Sequence, residues 1–562
     1  MTRSSVGRQR LAQAESPRAI GAHLVILVVI IGISIGIRVT NILAFEPFGD
    51  EIRWMHWAND LFRLDKPDTY WIPLREEGRP PLFYWLQIVL KDIQPNMFVG
   101  GRFAAAIPCG AVAGILYLIG SDLWSKPAGI AAGLLWAISP MSVMFGRLAS
   151  SDDAVLAFCV GLVLWLSVRL ARKPSLVRGI LCGGAIGLAV LTKTTGLISA
   201  GIPLAIILAL GAPSERRKLL LSGIGLALGV AVVTAPLIPW VPRLVSKVRV
   251  HTSSTDIDRV SRLQLNLDDA REYYGSYLGV PTLGLAVLGT VVGLVRRDRN
   301  TVAITLAYLV GMAPALLFVS TFYSRYLLSV SLPLYLLAAS AIGWIIQVVS
   351  IWSSSRGFAV RLAAPVSGAC IALVVTALMG REIAFTSSLL TRPSVDWFPE
   401  VDQWRYFRHR WTLAGLSNVS HYLEEQAKRG PIGVAEPREE PYYRYNLPTT
   451  ALRLALRGNE NIQFTSVPDM RAAGAERAYQ RLAASSQPIF IIMNEINPAV
   501  ADPDDPRTRA DQRIRELMPS ARIVQLTEGR EKDYALVIYQ IDLGSLARQP
   551  RAALDDSHWP HS

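Results

Sequence analysis

The chain has 562 residues, of which 51% are hydrophobic and 18% are charged. The charged fraction lies below the roughly 25% of a typical soluble domain, so the composition excludes a purely soluble protein and indicates a polytopic membrane protein with a soluble part. A net charge of +13 is typical of basic cytoplasmic loops, and no basic–aromatic motif predicts nucleic-acid binding. All four cysteines lie in apolar runs, which predicts neither a disulfide framework nor a metal cluster.

Eleven apolar runs are long enough to cross, or nearly cross, a hydrocarbon core of about 30 Å. The first follows an arginine-rich segment, is too long for a signal-peptide core and lacks a small-residue cleavage site, so it is predicted to be a membrane helix. The fifth and sixth runs are short and are the weakest candidates. In chain order the runs are 20–40, 99–120, 127–145, 153–171, 177–193, 196–211, 218–240, 278–295, 301–319, 325–349 and 360–380.

The basic residues predict the orientation of these runs. If the N-terminus is cytoplasmic, every connection on the inside is basic, as the positive-inside rule requires. The inside segments are then 1–19, the turn at Lys126, Arg169–Arg178, Arg216–Lys218, Arg296–Arg299 and Arg356–Arg361. The sequence therefore predicts a multi-pass protein of the inner (plasma) membrane, with a cytoplasmic N-terminus and an external C-terminal domain.

The predicted domains differ in character. Residues 1–19 form a basic tail, 20–380 a transmembrane domain, 381–548 an external α/β domain, and 549–562 a flexible tail. The C-terminal part carries short apolar runs at 487–493 and 534–539 that predict strands, between patterns at 414–429, 470–485 and 507–518 that predict helices. In the external loop 41–98, two amphipathic segments, Trp54–Phe62 and Pro81–Leu90, are too short to cross and are predicted to lie at the membrane interface.

Polar residues gather at the external ends of the runs. A carboxylate at the edge of a bilayer is costly to desolvate, so its presence there suggests a functional role. Carboxylates and cations at one depth suit transfer chemistry, because a carboxylate can deprotonate an acceptor hydroxyl and cations can hold a phosphate leaving group. A donor on a long lipid tail would present its phosphate at that depth. The residues are Asp50, Glu51, Arg53, Arg79, Asp152, Asp153, Lys193, Arg325 and Tyr326.

Each of these residues also has a structural interpretation. The arginines are able to reach toward lipid headgroups without any catalytic role. Ser150 and Ser151 with the two following aspartates are good helix-capping chemistry. Lys193 is equally suited to anchoring a helix end at the interface. The residues alone leave both interpretations open.

The order of the motifs resembles the superfamily of protein O-mannosyltransferases and aminoarabinose transferases. The motifs are Asp50-Glu51 after the first run, Pro-Pro-Leu-x-Tyr-Trp at 80–85, Arg-x-Ala-x-Ser-Asp from Arg147, Leu-Thr-Lys ending at Lys193, and Arg-Tyr-Leu-Leu from Arg325. The resemblance covers roughly residues 20–345. It implies a polytopic α-helical protein of the C-type glycosyltransferase fold, with about 11 transmembrane helices, followed by the external α/β domain.

The resemblance also implies an activity. The chain would move a single sugar from a polyprenyl-phosphate donor to a hydroxyl of an external acceptor, such as a cell-envelope glycan, lipid or protein, with inversion. Asp50 would be the general base and Glu51 its motif partner. The residues implied to bind donor phosphate are Arg53, Arg79, Lys193 and Arg325, the last with its neighbour Tyr326.

The second acidic motif fits two neighbouring residues. The spacing from Arg147 favours Asp152, whereas the Asp-Ala-Val-Leu-Ala-Phe continuation favours Asp153, so both are kept as candidate catalytic residues. Some members bind a divalent metal through an acidic residue before the basic–proline pair and a histidine in the long external loop. Gly78 occupies that acidic position here and His251 lies near the start of the loop. A divalent metal therefore stays open as a cofactor, and no metal ligand is assigned.

Three other functions compete with this interpretation, one of them an assembly scaffold whose external domain binds a cell-envelope partner. A flippase or transporter for lipid-linked sugars would use the carboxylates as a proton relay, but relay carboxylates are expected in mid-membrane and these lie at helix ends. An oligosaccharide ligase would take a diphosphate-linked donor and should need more basic contacts. The sequence does not decide the sugar or the acceptor.

Overall fold

The structure, a computed structural model, describes residues 17–211, 216–253, 259–320, 322–355, 374, 376–408, 413, 415–438, 447–468, 488–496, 521–528 and 534–541. The backbone divides into two compact units. The helical unit comprises Met1–Ala44, Phe62–Leu90 and Gly101–Pro399. The mixed unit comprises Phe45–Leu61, Lys91–Gly100 and Glu400–Ser562.

Most described residues are helical. In chain order the α-helices are α1 Pro17–Val39, α2 Gly49–His56, α3 Ile72–Glu77, α4 Leu82–Leu90, α5 Met97–Leu123, α6 Lys126–Ile138, α7 Pro140–Phe145, α8 Asp152–Arg172, α9 Leu176–Thr192, α10 Gly201–Leu210, α11 Arg216–Thr234, α12 Val241–Ser253, α13 Arg259–Tyr277, α14 Gly279–Val295, α15 Arg299–Phe318, α16 Leu327–Val330, α17 Leu332–Ser355, α18 Gly380–Thr391, α19 Glu400–Gln403, α20 Leu416–Arg429 and α21 Leu447–Ala455. Short 3₁₀ helices are Pro67–Trp71, Thr194–Ala200, Ala235–Trp240, Ser324–Tyr326 and Val395–Trp397, and π-helical turns are Trp57–Leu61 and Trp404–Arg408.

Within the described residues, six helices are long and apolar enough to cross a membrane. They are Gly21–Val39, Met97–Leu123, Asp152–Arg172, Arg216–Ser246, Arg299–Phe318 and Leu332–Ile351. Val260–Tyr277 and Gly279–Val295, bent by 109°, add a seventh span if they count as one. The chain is therefore a multi-pass membrane protein. The count of eleven spans stays a prediction, and most of the run 360–380 lies outside the described residues.

One predicted run is not a single helix. Within 127–145, α6 ends at Ile138 and α7 begins at Pro140. Ser139 between them is extended, with φ −66° and ψ 127°. The proline ring explains this break, because it disfavours the helical conformation of the residue before it. Whether the run 127–145 counts as one membrane span stays a prediction.

Helices α9 and α11 approach closely through glycine. A β-carbon added at Gly183 would lie 2.0 Å from the carbonyl oxygen of Leu226, and one at Gly229 would lie 2.2 Å from that of Ile180. Helices in a membrane gain little from apolar burial against each other, so close backbone packing supplies much of their association. Because α9 ends at Thr192, this packing also fixes where Lys193 emerges.

Three buried arginines hold the C-terminal end of α1. Arg38 donates to the carbonyl oxygen of Ser34 at 2.7 Å, Arg102 to that of Ile42 at 2.7 Å, and Arg147 to those of Thr40 and Asn41. The last carbonyls of a helix have no intrahelical donor and favour nearby cations. Burial, with the charges of the other two arginines, lowers the pKa of Arg147 to about 9.

The mixed unit contains a five-stranded sheet in the order β2-β1-β3-β5-β4. Its strands are β1 Ile432–Arg438, β2 Ile462–Pro468, β3 Ile489–Ile496, β4 Ala521–Glu528 and β5 Tyr534–Ile541. β1 runs parallel to β2 and β3, and β5 runs antiparallel to β3 and β4. Consecutive residues 489–492 of β3 are all buried, as expected for a central strand covered on both faces.

The predicted secondary structure of this part matches where the structure describes it. The strand predictions at 487–493 and 534–539 fall on β3 and β5, and the helix prediction at 414–429 falls on α20. The helices predicted at 470–485 and 507–518 and the tail 549–562 lie outside the described residues. The external location of this domain, its boundaries and the interfacial position of α2 and α4 stay predictions.

The α9–α11 contact can be tested by enlarging one glycine. Gly183→Val should force the two helices apart and lower the free energy of unfolding by about 1–3 kcal/mol, the usual range for overpacking. Gly223→Val is the matched control, since no atom lies within 4 Å of a β-carbon at Gly223. Thermal unfolding in detergent measures both variants. Equal unfolding temperatures for the two would contradict the proposed contact.

Candidate active site

In the helical unit, Asp152 and Asp153 open α8. They occupy its first turn, where the helix dipole favours negative charge. Asp153 is almost fully buried, with 1% of its surface exposed. Ser151 stands at the N-cap position, and its side chain makes no capping hydrogen bond. The capping interpretation of this motif therefore does not account for the two carboxylates.

Lys193 provides the charge that faces these carboxylates. It follows α9 directly, in an extended conformation that ends the helix. Its Nζ donates to Asp153 Oδ1 at 2.7 Å and to Oδ2 at 2.8 Å, and lies 3.5 Å from Asp152 Oδ1. Two buried charges are tolerable only when they are well paired, so the burial of Asp153 depends on Lys193. Of the two candidate aspartates, Asp153 makes the direct contact.

Arg325 adds a second cation to this cluster. Its Nε lies 3.7 Å from Asp153 Oδ2, and its guanidinium lies over the rings of Tyr323, at 5.1 Å, and Tyr326, at 5.8 Å. The Tyr326 ring also lies under Lys193 Nζ, at 4.6 Å. Aromatic faces attract cations and hold them in place. The result is a preorganised pair of cations beside one carboxylate.

A largely apolar cavity, partly open, borders this cluster within the helical unit. Asp153 and Tyr326 belong to its lining. Two helix faces supply much of the rest, each with residues four apart: Leu156, Val160 and Leu164 on α8, and Ala307, Gly311 and Ala315 on α15. The small residues of α15 leave the space open. Positive charge and an apolar cavity at one place suit an amphiphile with an anionic head.

Arg79 belongs to the same unit and is paired locally. Its Nε lies 2.7 Å from Glu77 Oε2. Gly78 between them ends α3 with φ 64°, a left-handed conformation that costs a residue with a β-carbon about 1 kcal/mol. This explains why glycine, not an acid, precedes Arg79. Among the described residues, no three His, Cys, Asp or Glu converge on a metal-sized site. These residues do not fit the metal site of the resemblance, and no step below is assigned to a metal.

Asp50, Glu51 and Arg53 lie on α2, in the mixed unit. Asp50 is in the first turn and pairs with Arg405, whose Nη2 lies 3.3 Å from Asp50 Oδ2. Glu51 is fully buried, and its Oε2 accepts a hydrogen bond from the backbone N–H of Phe48 at 3.2 Å. This contact satisfies an amide at the start of the helix. Arg53 is half-buried, one turn after Asp50.

A second ion-pair cluster lies at the C-terminal end of the segment Gly49–Leu61, which comprises α2 and the π-helical turn after it. Asp60 Oδ2 lies 2.5 Å from His56 Nδ1 and 2.7 Å from Arg453 Nη2. Burial disfavours the Asp60 carboxylate, but the hydrogen bond from His56 and the charge of Arg453 outweigh it and hold the pKa of Asp60 below its ordinary value. The carboxylate is therefore charged at neutral pH and holds the segment to α21.

The structure thus brings the predicted residues together in two groups. Asp152, Asp153, Lys193, Arg325 and Tyr326 form one cluster in the helical unit. Asp50, Glu51 and Arg53 share one helix of the mixed unit. The prediction that both groups form a single pocket stays a prediction, and so do the catalytic roles.

Comparisons with known proteins show what the chain is similar to. Residues 78–241 match the family model of dolichyl-phosphate-mannose-protein mannosyltransferases. Comparison with curated proteins gives no significant match. ArnT from Cupriavidus metallidurans in the apo state is 15% identical, with a TM-score of 0.54 over 93% of this chain and 98% of that chain. Its structure bound to undecaprenyl phosphate is 15% identical, with a TM-score of 0.53 over 91% and 97%.

The apo oligosaccharyltransferase of Archaeoglobus fulgidus is 14% identical, with a TM-score of 0.51 over 84% of this chain and 69% of that chain. At such identities the structural likeness shows the fold, and the family model adds sequence evidence for the stretch that holds Arg79, Asp153 and Lys193. The chain therefore has the fold of these glycosyltransferases, and residues 78–241 are similar to the mannosyltransferase family.

Sequence reasoning missed two residues of the candidate site. Tyr323 supports Arg325, and Arg405 pairs with Asp50 from 355 residues away. Nothing local to Arg405 or Asp50 identifies their contact, whereas Tyr323 lies only two residues before Arg325. The cavity had a readable signal, because Ala307, Gly311 and Ala315 place a small residue at every fourth position of one apolar run.

The Asp153–Lys193 pair can be measured by a double-mutant cycle. Asp153→Asn or Lys193→Met alone leaves a buried charge without its main partner and should cost about 3–5 kcal/mol of unfolding free energy. The double variant should recover part of that loss, with a coupling energy of at least about 1 kcal/mol.

Asp122 and Arg169 provide the matched control. They form an ion pair of similar length, 2.9 Å, but their side chains are 27% and 46% exposed. The cycle of Asp122→Asn and Arg169→Gln should therefore give a coupling energy near zero. Unfolding in detergent measures both cycles. Additive losses at Asp153 and Lys193 would show that the pair does not carry the predicted energy.

Proposed function

We propose that this glycosyltransferase moves a single sugar from a polyprenyl-phosphate donor to a hydroxyl of an external acceptor. The observation that carries the proposal is the cation pair Lys193 and Arg325 beside the apolar cavity of the helical unit. A polyprenyl phosphate has the matching chemistry, an anion joined to a long apolar tail. The similar ArnT from Cupriavidus metallidurans was solved with undecaprenyl phosphate bound.

In this proposal the cations act on the leaving group. Lys193 and Arg325 hold the donor phosphate, taking it in place of Asp153, and Arg53 and Arg79 add further positive charge. As the bond between the anomeric carbon and the phosphate oxygen breaks, negative charge grows on the phosphate. Preorganised cations stabilise that charge, each by on the order of a few kcal/mol. Tyr326 keeps Lys193 in place through its ring.

Asp50 acts on the acceptor. Its carboxylate takes the proton of the acceptor hydroxyl while the oxygen attacks the anomeric carbon from the face opposite the phosphate. One displacement of this kind inverts the configuration of the sugar. Glu51 serves the geometry of α2, since its carboxylate accepts the Phe48 amide. The acceptor is a glycan, lipid or protein of the cell envelope, reached on the external side of the inner membrane.

The base role of Asp50 is tested by Asp50→Asn. Transfer should fall on the order of 10²–10⁴-fold, the range for losing a general base, while the affinity for polyprenyl phosphate stays unchanged. The assay follows a radiolabelled sugar from its polyprenyl phosphate into an envelope fraction. Asp68→Asn, which changes an exposed carboxylate of the loop after α2, is the control.

Each other outcome of that assay has a clear meaning. Near-normal transfer by Asp50→Asn would remove Asp50 from the base role. Movement of intact donor across a vesicle bilayer without cleavage would support a flippase instead. Consumption of a diphosphate-linked donor only would support a ligase.

The tail-binding role of the cavity is tested by Gly311→Phe. The new ring should fill the cavity and raise the Kd for a long-chain polyprenyl phosphate at least about tenfold, a loss of about 1.4 kcal/mol. The Kd for geranyl phosphate, which has a short tail, should change much less. Gly284→Phe is the control, because no atom lies within 4 Å of a β-carbon there. An unchanged Kd for the long-chain lipid would place the tail elsewhere.

A further inference from the structure

An arginine from the C-terminal part of the mixed unit lies against the candidate base. Arg405 Nη2 is 3.3 Å from Asp50 Oδ2, and their side chains are 17% and 10% exposed. The two residues are 355 positions apart in the chain. Partial burial strengthens such a pair, because water screens it less than a surface pair. The contact is therefore of a kind that is able to control the charge state of Asp50.

Aromatic rings fix the position of Arg405. Its guanidinium lies over the rings of Phe48, at 5.6 Å, and Tyr406, at 5.9 Å. These two rings also meet edge to face, with centroids 5.2 Å apart. Phe48 is the residue that precedes α2. The rings of Phe48 and Tyr406 thus contact Arg405 at the start of the helix that carries Asp50.

The neighbouring ion pair serves as an internal comparison. Arg453 also comes from the C-terminal part of the mixed unit, and it also pairs with an aspartate of the Gly49–Leu61 segment, Asp60. Its contact lies at the C-terminal end of the segment. Both arginines therefore hold the segment, but only Arg405 places a positive charge against Asp50.

We propose that Arg405 is a positioning residue for the transfer reaction, which keeps the Asp50 carboxylate ionised and oriented toward the acceptor hydroxyl. The inference rests on the proposed base role of Asp50. A cation at hydrogen-bonding distance favours the charged form of a carboxylate. A base that stays ionised at lower pH remains competent there. The domain that follows the membrane helices thereby contributes to the chemistry through one side chain.

The test is the pH dependence of kcat/KM in Arg405→Gln. Loss of the cation should move the acid limb of the profile to higher pH by about one unit or more, and kcat at neutral pH should fall several-fold. Arg405→Lys keeps the charge and should keep the acid limb in place. It should restore kcat only in part, since an ammonium lacks the planar fork of arginine. The Kd for polyprenyl phosphate should be unchanged in both variants.

Arg453→Gln is the matched control. It removes an arginine of the same unit from the same segment but leaves the Asp50 pair intact, so it should lower thermal stability without moving the acid limb. An acid limb that stays in place in Arg405→Gln would overturn the inference. So would a weakened Kd for polyprenyl phosphate, because Arg405 would then be a donor ligand.

The failure of this inference is distinguishable from failure of the proposed function. If Asp50→Asn transfers sugar normally, the base role fails. If Asp50→Asn is inactive and the acid limb of Arg405→Gln does not move, only the positioning role fails. Should Arg405→Gln not fold, Arg405→Met decides, since it removes the charge but keeps a long side chain: an acid limb equal to that of the unmodified protein would show that the arginine serves folding only.

Discussion

A charge removed from water must be neutralised by a partner of opposite sign, and this requirement organises the polar parts of the molecule. Asp153 is paired with Lys193, Asp50 with Arg405 and Asp60 with Arg453. The cost of desolvating a single carboxylate is several kcal/mol, so none of these side chains could be buried alone. Two of these pairs fix the geometry of Asp153 and Asp50, which belong to the proposed site.

The same requirement applies to the backbone. In a membrane the carbonyls at a helix end have no water to bond, and a side chain must supply the donors. At the end of α1 that role falls to Arg38, Arg102 and Arg147. Arg147 opens the motif that continues to Asp153. Its hydrogen bonds therefore connect the C-terminal end of α1 to the start of α8.

Local properties of the sequence predicted much of the fold. Hydrophobic runs predicted the long helices because amino-acid composition alone decides whether a segment is stable in a membrane. The break at Ser139 was equally local and could have been predicted from Pro140. Short apolar runs between polar turns predicted β3 and β5, because a strand pattern is also read from neighbouring residues.

Contacts between distant residues were not predictable in this way. The order of the motifs, together with the resemblance, predicted that the Asp152–Asp153 pair and Lys193 lie close together. It gave no indication of Arg405, whose partner lies 355 residues away. It also gave no indication of the hydrogen bond that the Glu51 carboxylate accepts from the Phe48 amide at the start of α2. A charged residue in a sequence does not reveal which partner neutralises it.

The distribution of these residues between the two units has a consequence for turnover. Lys193, Arg325 and the cavity all belong to the helical unit, and the family model covers residues 78–241 of that region. Asp50 and Arg405 belong to the mixed unit and lie outside the matched stretch. In the proposed function, Lys193, Arg325 and the cavity bind the donor, and Arg53 of the mixed unit adds positive charge at its phosphate. A change at Asp50 or Arg405 should therefore alter turnover while these donor contacts stay intact.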